Sequence, residues 1–386
     1  MLIPVNSSQS LFLLKRIPES VSDTVILVAG ARPNFMKIAP IHKQLRHRGV
    51  NTLLVHTGQH YDHNMSQVFF DELGIPEPDI HMGVGSDSHS RQTAKIMIHF
   101  EDVCLEHNPR MVVVVGDVNS TLACAITAKK LGITVAHVEA GLRSRDIQMP
   151  EEINRVLTDR ISDLLFTTSR GANENLFSEG CSSESIFFVG NVMIDSLYKA
   201  VKHSQKSTIL KDIGVVKQGY CLVTMHRPSN VDNLSTLSGL ILALEQISRE
   251  IPIIIPAHPR TVHSLERFEM ADRIRNNNQI YLIPAQGYFD FINLVKNSKF
   301  VMTDSGGLQE ESTILGVQCL TLRKNTERPI TVTQGTNKVV GTETKDIIDA
   351  FHNLDFSKKT QSPEYWDGKT AHRIAKVIVD QLSAAV

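Results

Sequence analysis

The stretch Thr24-Val-Ile-Leu-Val-Ala-Gly30 decides the fold class of this chain. It is a continuous apolar run rich in β-branched residues, which is typical of a strand buried on both faces of a parallel sheet. Gly30 ends the strand, and the apolar spacing that follows predicts a helix over residues 36–47. A second strand is predicted over residues 51–56. This order of strand, helix and strand indicates a parallel βαβ unit.

The same alternation continues along the chain and restarts after about residue 200. In the first half, strands are predicted over residues 111–115, 134–138, 164–168 and 186–189, with helices over 92–106, 121–130 and 151–163. In the second half, strands are predicted over residues 219–225, 251–256, 280–284, 300–303 and 318–322. The pattern therefore predicts an α/β protein with two doubly wound domains facing across a cleft, joined near residues 190–201. The cleft is the expected ligand site.

The composition excludes several classes of protein. The chain has 386 residues, and 40 Lys and Arg against 41 Asp and Glu give a net charge of −1, which argues against nucleic acid as a partner. No apolar run reaches the roughly 18 residues that a membrane helix needs, so no membrane partner is expected. The five cysteines stand singly, which indicates free thiols and a cytoplasmic location. Residues 1–24 are interpreted as an N-terminal extension.

The segment Asp304-Ser-Gly-Gly-Leu-Gln-Glu-Glu311 carries the strongest single signal. A predicted strand runs into two glycines and a helix, where backbone N–H groups form an anion cradle. Ser305, Gly306 and Gly307 are therefore candidate phosphate ligands, and Glu311 is placed to accept the two hydroxyls of a ribose. The alternative is an ordinary capped helix with solvated acids.

A matching segment, Gly30-Ala-Arg-Pro-Asn-Phe-Met-Lys37, opens the first helix. It lacks the GxGxxG pattern and the acidic residue that a dinucleotide site requires. Arg32 and Lys37 instead put two cations at a helix start, which suits an anionic ligand. The alternative is a pair of solvated surface charges.

Asp117, Glu139 and Glu151 form a candidate acid–base group. Asp117 and Glu139 each follow a buried strand, so both should point into the cleft, and paired carboxylates suit proton transfer to and from carbon. Glu151 opens a helix whose apolar residues, Ile153, Val156, Leu157 and Ile161, are expected to face the core and leave Glu151 facing the site. The alternatives are a turn cap for Asp117 and charge matching at a helix start for Glu151.

His226 follows a predicted strand and is a candidate acid, base or phosphate partner. His56, His60 and His63 have a spacing seen in metal sites, but His56 lies in a predicted strand, so a zinc site is rejected. No metal is therefore expected.

The motifs together resemble the non-hydrolysing UDP-N-acetylglucosamine 2-epimerases. They occur in this order: Gly30-Ala-Arg-Pro33 with Lys37, Thr57-Gly-Gln-His60, Gly116-Asp117, His137-Val-Glu-Ala-Gly-Leu-Arg143, Pro150-Glu-Glu-Ile-Asn-Arg155, Gly190-Asn191, His226-Arg227, Asp304-Ser-Gly-Gly-Leu-Gln-Glu-Glu311 and Thr326-Glu-Arg-Pro329. The similarity runs from about Val25 to the last helix. Many ordered motifs over the whole length are far more specific than any one of them.

The resemblance implies the GT-B fold, with two Rossmann-like domains over residues 25–191 and 192–369. The C-terminal helix, within residues 370–386, would cross back to join the first domain. The implied reaction interconverts UDP-GlcNAc and UDP-ManNAc, without a nicotinamide or other cofactor. UDP is eliminated across C1–C2 to give 2-acetamidoglucal, then adds back while a proton reaches the other face of C2. The resemblance also implies a homodimer and a role in polysaccharide synthesis.

The resemblance assigns roles to residues by motif. Asp117, Glu139, Glu151 and His226 would be catalytic, with the first two handling the proton at C2. The UDP-sugar would be held by Arg32, Lys37, Gln286, Phe291, Ser305, Gly306, Gly307, Glu311 and Arg328, with Gln286 and Phe291 in the loop that receives uracil.

Three alternatives remain open on the sequence. The enzyme could be a hydrolysing relative that releases ManNAc and UDP, an epimerase of a UDP-2,3-diacetamido uronic acid sugar, or a GT-B glycosyltransferase. The chain departs from many bacterial members at Ala31, Asn34, Val118, Pro228 and Ser229, which alters the walls around the sugar. The four candidate catalytic residues are unaffected by these departures.

Overall fold

The computed structural model describes residues 22–58, 74, 76–357 and 361–384. The N-terminal extension predicted for residues 1–24 therefore lies almost wholly outside the described residues. Within the described ranges the chain forms two parallel sheets, one of seven strands and one of six, each covered by helices. The predicted α/β class with two doubly wound halves is confirmed. No helix in these ranges is both long and apolar enough to cross a bilayer.

The first sheet has the strand order β3-β2-β1-β4-β5-β6-β7, with all neighbours parallel. Its strands are β1 (Ser22–Ala29), β2 (Asn51–His56), β3 (Ile80–His81), β4 (Pro109–Val115), β5 (Thr134–Ala140), β6 (Leu164–Thr167) and β7 (Ile186–Phe188). The helices between them are α1 (Arg32–His47), α2 (His89–His107), α3 (Asn119–Lys130), α4 (Pro150–Ile161) and α5 (Arg170–Ser178), with a short 3₁₀ turn at Ser183–Ser185.

The second sheet has the order β10-β9-β8-β11-β12-β13, again with all neighbours parallel. Its strands are β8 (Cys221–Thr224), β9 (Ile253–Pro256), β10 (Ile280–Ile283), β11 (Phe300–Thr303), β12 (Gln318–Thr321) and β13 (Asn337–Val339). The remaining helices are α6 (Met193–Ser204), α7 (Ile209–Ile213), α8 (Pro228–Val231), α9 (Leu234–Ile247), α10 (Pro259–Arg267), α11 (Ala271–Arg275), α12 (Tyr288–Asn297), α13 (Gly306–Leu315), α14 (Pro329–Thr333), α15 (Thr344–His352) and α16 (Thr370–Ala384).

Each sheet reverses its direction of winding once, and the reversal points position the candidate site. The reversal lies between β1 and β4 in the first sheet and between β8 and β11 in the second. At such a point the loops after two neighbouring strands diverge and leave a crevice at the carboxyl ends. The segments that follow these four strands are the ones that carry Lys37, Asp117, His226 and Ser305.

The C-terminal helix α16 packs against α1 and α6, and so crosses back to the first sheet as predicted. Asp195 in α6 accepts hydrogen bonds from the N–H groups of Thr370 and Ala371 at distances of 3.2 and 2.9 Å. Burial raises the pKa of Asp195 to about 6 despite these bonds. Trp366 is buried just before the helix and donates to the carbonyl of Thr168 at 2.9 Å. The return of the chain is therefore anchored by buried groups.

The largest apolar core joins the two halves. It contains β1, β4 and β5 residues together with Ile374 and Ile378 of α16, and it extends to Tyr288 and Ile292 of α12 in the second half. A separate cluster fills one face of the second sheet. The joint core explains why the C-terminal helix, although last in sequence, belongs with the first sheet.

Candidate active site

The first half places Glu139 near the end of β5 in an unusual backbone conformation. Its φ is +73°, in the left-handed region that side-chain-bearing residues rarely adopt, and the pairing of β5 with β6 is irregular between Val138 and Ala140. Such conformations cost free energy and are concentrated at functional sites. The turn redirects the Glu139 side chain towards Lys37 of α1, whose Nζ lies 2.5 Å from Oε2.

The Lys37–Glu139 pair is almost fully buried, with side-chain exposures of 9% and 2%. The second carboxylate oxygen of Glu139, Oε1, is buried and accepts no hydrogen bond from the described residues. Gly116 allows this close packing, because a Cβ there would lie 3.6 Å from both Glu139 Oε2 and Lys37 Nζ, and its φ is +72°. A buried acceptor without a donor indicates a position where a ligand supplies one.

Asp117 is held by Arg155 of α4. One carboxylate oxygen accepts from Nε and Nη2 of Arg155 at 3.0 and 2.7 Å, while 29% of the Asp117 side chain remains exposed. Burial alone would raise the pKa of Asp117, but the positive charges of Arg155, Lys37 and Arg328 bring it below its ordinary value. Asp117 is therefore an ionised, partly accessible carboxylate at the cleft.

The orientation of α4 is opposite to the one predicted. Ile153, Val156 and Leu157 are 45%, 39% and 45% exposed. The buried face is polar and consists of Glu152, Asn154, Arg155, Thr158 and Asp159. The reason is that α4 packs where the carboxylates of the site need cations and hydrogen-bond donors, so charge pairing overrides apolar burial. The prediction that the apolar face turns to the core is wrong.

Glu151 lies half-buried in the first turn of α4, one turn before Arg155. Its neighbour Glu152 accepts hydrogen bonds from the N–H groups of Ser144 and Arg145 and contacts Arg155 at 2.5 Å. Glu152 therefore fixes the preceding loop, whereas Glu151 is placed at the edge that carries Asp117.

The second half supplies the glycine-rich turn. Ser305 precedes α13, which begins at Gly306, and its side chain does not cap the helix. Gly306 and Gly307 are half-buried. A Cβ at Gly306 would overlap with the guanidinium of Arg328, so the glycine allows this cation to lie directly against the helix start. The first-turn N–H groups and Arg328 together form a positive concave surface.

A cluster of arginines surrounds Glu327. Arg323 lies 2.8 Å away, Arg227 lies 3.7 Å away, and Arg328 donates through Nη1. Burial would raise the pKa of Glu327, but the three guanidinium groups hold it far below its ordinary value. Arg328 also donates through Nε to Glu310 at 2.7 Å. Three arginines against two carboxylates leave the cluster with an excess of positive charge, as an anionic ligand requires.

The two halves interact electrostatically across the cleft. Burial lowers the pKa of Arg328, but the carboxylates of Glu310 and Glu327, and then those of Glu139 and Asp117, raise it above its ordinary value. Glu139 and Asp117 belong to the first sheet, whereas Arg328 belongs to the second. Coulomb interactions of this size act only at short range in a partly buried site. The candidate acids and the glycine turn therefore face one cleft.

His226 is supported by a buried carboxylate. Its Nδ1 lies 2.8 Å from Oδ1 of Asp304, and the His226 side chain is 40% exposed whereas that of Asp304 is fully buried. Burial raises the pKa of Asp304, but the hydrogen bond and charge of His226 and the backbone N–H groups of Arg227 and His226 lower it overall. Because Nδ1 faces Asp304, Nε2 is the ring atom available to a ligand.

Glu311 is nearly buried and accepts a hydrogen bond from the hydroxyl of Tyr288 at 2.7 Å. Burial and the charge of Glu310 raise its pKa to about 7, although the Tyr288 hydroxyl opposes the shift. Gln286 is half-buried and donates to the carbonyl of Pro284 at 2.6 Å. Phe291, in the next helical turn after Tyr288, packs against both neighbouring cores.

The structure brings most of the predicted residues to the cleft and adds several that the sequence did not indicate. Arg32 is the first residue of α1, but its side chain lies outside the described part of the chain, as do Gln59 and His60. Added by the structure are Arg155, Tyr288, Glu310, Arg323 and Glu327. In the described ranges, no group of three or more metal-ligating side chains converges.

Comparisons with known proteins agree with this geometry. The family model described as UDP-N-acetylglucosamine 2-epimerase matches residues 43–379. A UDP-N-acetylglucosamine 2-epimerase from Methanocaldococcus jannaschii is 41% identical over 357 residues, which cover 91% of this chain and 98% of the relative. A UDP-2,3-diacetamido-2,3-dideoxy-D-glucuronate 2-epimerase from Pseudomonas aeruginosa is 38% identical over 360 residues, covering 92% and 99%.

A solved structure extends the similarity to three dimensions. The crystal structure of the Methanocaldococcus jannaschii UDP-GlcNAc 2-epimerase, in complex with UDP-GlcNAc and UDP, is similar with a TM-score of 0.87 at 41% identity, covering 92% of this chain and 99% of that one. The similarity spans both sheets, which confirms the GT-B-like fold. The chain belongs to the UDP-N-acetylglucosamine 2-epimerase family.

Proposed function

We propose that this epimerase interconverts UDP-GlcNAc and UDP-ManNAc without hydrolysis, by anti elimination of UDP and its re-addition. The observation that carries the proposal is the meeting of Asp117 and Glu139 with the Arg328 cluster in one cleft. The first two are suited to move a proton, and the cluster is suited to hold a diphosphate. A relative of this chain was solved with UDP-GlcNAc and UDP, which supports the same substrate class here.

UDP is bound by the second half in this proposal. The diphosphate lies against Ser305, Gly306, Gly307 and Arg328, where N–H groups and a guanidinium meet negative charge. Glu311 accepts from the ribose hydroxyls, and Gln286 and Phe291 border the uracil. Arg32 and Lys37 complete the binding surface from the first half.

The chemistry takes place at C1 and C2 of the sugar. A carboxylate removes the C2 proton while the C1–O bond breaks and its electron pair leaves with UDP, which gives 2-acetamidoglucal. Asp117 is the better base of the pair, because Arg155, Lys37 and Arg328 keep it ionised. In the reverse step the UDP oxygen re-forms the bond to C1, and a proton is delivered to the other face of C2. Glu139 is the second proton carrier, with Glu151 beside Asp117.

The departure of UDP requires stabilisation of the negative charge that develops on its phosphate. Arg328 stands against the glycine turn, and His226 presents Nε2 at the neighbouring strand end. A preorganised cation costs no rearrangement at the moment of reaction, so such groups lower the barrier effectively. We assign His226 and Arg328 to the leaving group, and the carboxylates to C2.

We infer further that the protein is a cytoplasmic homodimer and that residues 25–191 with 370–386 and residues 192–369 are its two domains. The exposed apolar face of α4, formed by Ile153, Val156 and Leu157, supports the dimer, since contiguous apolar surface marks association sites. Five free cysteines suit the reducing cytoplasm.

The relative from Pseudomonas aeruginosa keeps a second substrate under consideration, the UDP-2,3-diacetamido uronic acid sugar. Incubation of the purified enzyme with each sugar nucleotide, followed by proton NMR, separates the possibilities. Conversion of UDP-GlcNAc to an equilibrium mixture with UDP-ManNAc supports the proposal. Stoichiometric free ManNAc and UDP would identify a hydrolysing enzyme, and turnover of the diacetamido sugar alone would reassign the substrate.

A further inference from the structure

His137 is a fully buried histidine two residues before Glu139 on β5. Its Nδ1 lies 2.6 Å from Oδ1 of Asp159, and its Nε2 lies 2.8 Å from the carbonyl oxygen of Gly116. Gly116 directly precedes Asp117. One side chain thus connects the two strand ends that carry both candidate proton carriers.

The partners determine the protonation of the ring. A carbonyl oxygen only accepts, so the Nε2 contact requires a proton on Nε2. Asp159 also behaves as an acceptor, because its second oxygen receives the N–H of Gly141 at 3.0 Å and contacts Arg143 at 2.7 Å. Burial would raise the pKa of Asp159, but the charge and hydrogen bond of His137, together with Arg143 and Gly141, lower it overall. Both ring nitrogens therefore carry protons.

The charge of the ring is balanced within a local cluster. Arg143 makes a paired contact with Glu179, through Nε at 2.8 Å and Nη2 at 2.6 Å. His137 and Arg143 then supply two positive charges, and Asp159 and Glu179 supply two negative ones. An uncompensated buried ion would be expelled or neutralised, whereas a hydrogen-bonded and balanced cluster is tolerated.

We propose that His137 is a positioning residue, present as a permanent imidazolium, that fixes the Gly116–Asp117 peptide relative to Glu139. The inference rests on the proposed function of these two carboxylates. Both sit on backbone that needs holding, because Gly116 and Glu139 have φ values of +72° and +73°. Loss of the Nε2 bond frees the Gly116 carbonyl, and Asp117 shifts relative to C2 of the sugar. The UDP-binding half does not contact His137.

The imidazolium is tested directly on the wild-type enzyme. Histidine labelled with ¹⁵N, with the ring signals assigned by comparison with the His137→Gln variant, reports which nitrogens carry protons. We expect both ring nitrogens of His137 to show a directly bonded, slowly exchanging proton across the neutral pH range. A single ring proton would overturn the proposal. This measurement does not use activity, so its failure is separate from failure of the proposed function.

The positioning role is tested by kinetics. In His137→Gln we expect kcat to fall about 100-fold, as misplacement of a reacting group by about 1 Å does, with the dissociation constant of UDP unchanged within twofold. His56→Gln is the matched control, since His56 is also buried at a strand end of the same sheet, and its kcat should change less than threefold. Equal losses of kcat in the two variants, or full turnover in His137→Gln, would overturn the role.

Discussion

Nζ of Lys37 lies 2.5 Å from Oε2 of Glu139, and the two side chains are buried together although they come from α1 and β5. The pair therefore joins the helix that follows the first strand to a second strand end of the same crevice. A buried ion pair adds little to stability as a whole, but removal of one partner leaves an uncompensated charge. Lys37 thus keeps a strained carboxylate in place for chemistry.

Replacement of Lys37 tests this relationship. Lys37→Met should lower the free energy of unfolding by about 3–5 kcal/mol, because Glu139 then remains buried without its cation. The double variant Lys37→Met/Glu139→Gln should recover most of the loss. Urea denaturation of both variants measures the coupling. Lys95→Met, which breaks an exposed pair with Asp87, is the control and should change little. Equal losses in the single and double variants would contradict the pairing.

Asp117 is expected to act in turnover rather than in nucleotide binding. Asp117→Asn should reduce turnover by about three orders of magnitude or more, because the amide cannot accept the C2 proton. Calorimetric titration should find the affinity for UDP nearly unchanged. Near-normal turnover would remove Asp117 from the mechanism, and a large loss of UDP affinity would assign it to binding instead.

Glu311 makes the stability of the protein depend on pH. Its pKa is about 7 in the folded chain, against the ordinary 4.5, so between these values the folded state holds a proton that the unfolded state has lost. Stability from this group is therefore full below pH 4.5 and is lost as the pH rises through 7, by about 3 kcal/mol in total.

The variant Glu311→Gln should remove this pH dependence. It is expected to be more stable than the wild type at pH 8 and similar to it near pH 5, while its affinity for UDP is weaker because an amide cannot accept from both ribose hydroxyls. Thermal unfolding across pH and UDP titration measure the two effects. Unchanged UDP affinity would show that the ribose assignment is wrong.

The apolar face of α4 predicts a homodimer. Light scattering behind size exclusion should give twice the chain mass of 43.0 kDa for the wild type and the single mass for Ile153→Glu/Leu157→Glu. Leu242→Glu, which changes an exposed leucine of α9, is the matched control and should stay dimeric. A monomeric wild type, or a dimeric α4 variant, would contradict the assignment.

The strands were predictable because parallel sheets require continuous apolar runs. The buried strands β1, β4 and β11 lie within two residues of their predicted bounds. The edge strands β3 and β13 were missed, since two or three half-exposed residues carry no such run. Local composition therefore identifies central strands well and edge strands poorly.

The site was less predictable than the fold, since its supporting contacts are long-range. Arg155 was visible in the sequence only as a charge near Glu151, and its contact with Asp117 bridges 38 positions. The polar face of α4 was hidden for the same reason: its partners, such as His137, lie on other elements. Glycine-rich turns at strand ends gave a local signal, whereas ion pairs across the cleft gave none.

The most direct test is solvent exchange at C2. When the enzyme equilibrates UDP-GlcNAc in D2O, both recovered sugar nucleotides should carry deuterium at C2, as measured by proton NMR and mass spectrometry. The Asp117→Asn variant should incorporate it far more slowly while it still binds UDP. Epimerisation with the original hydrogen retained at C2, or undiminished exchange in the variant, would contradict proton transfer by these carboxylates.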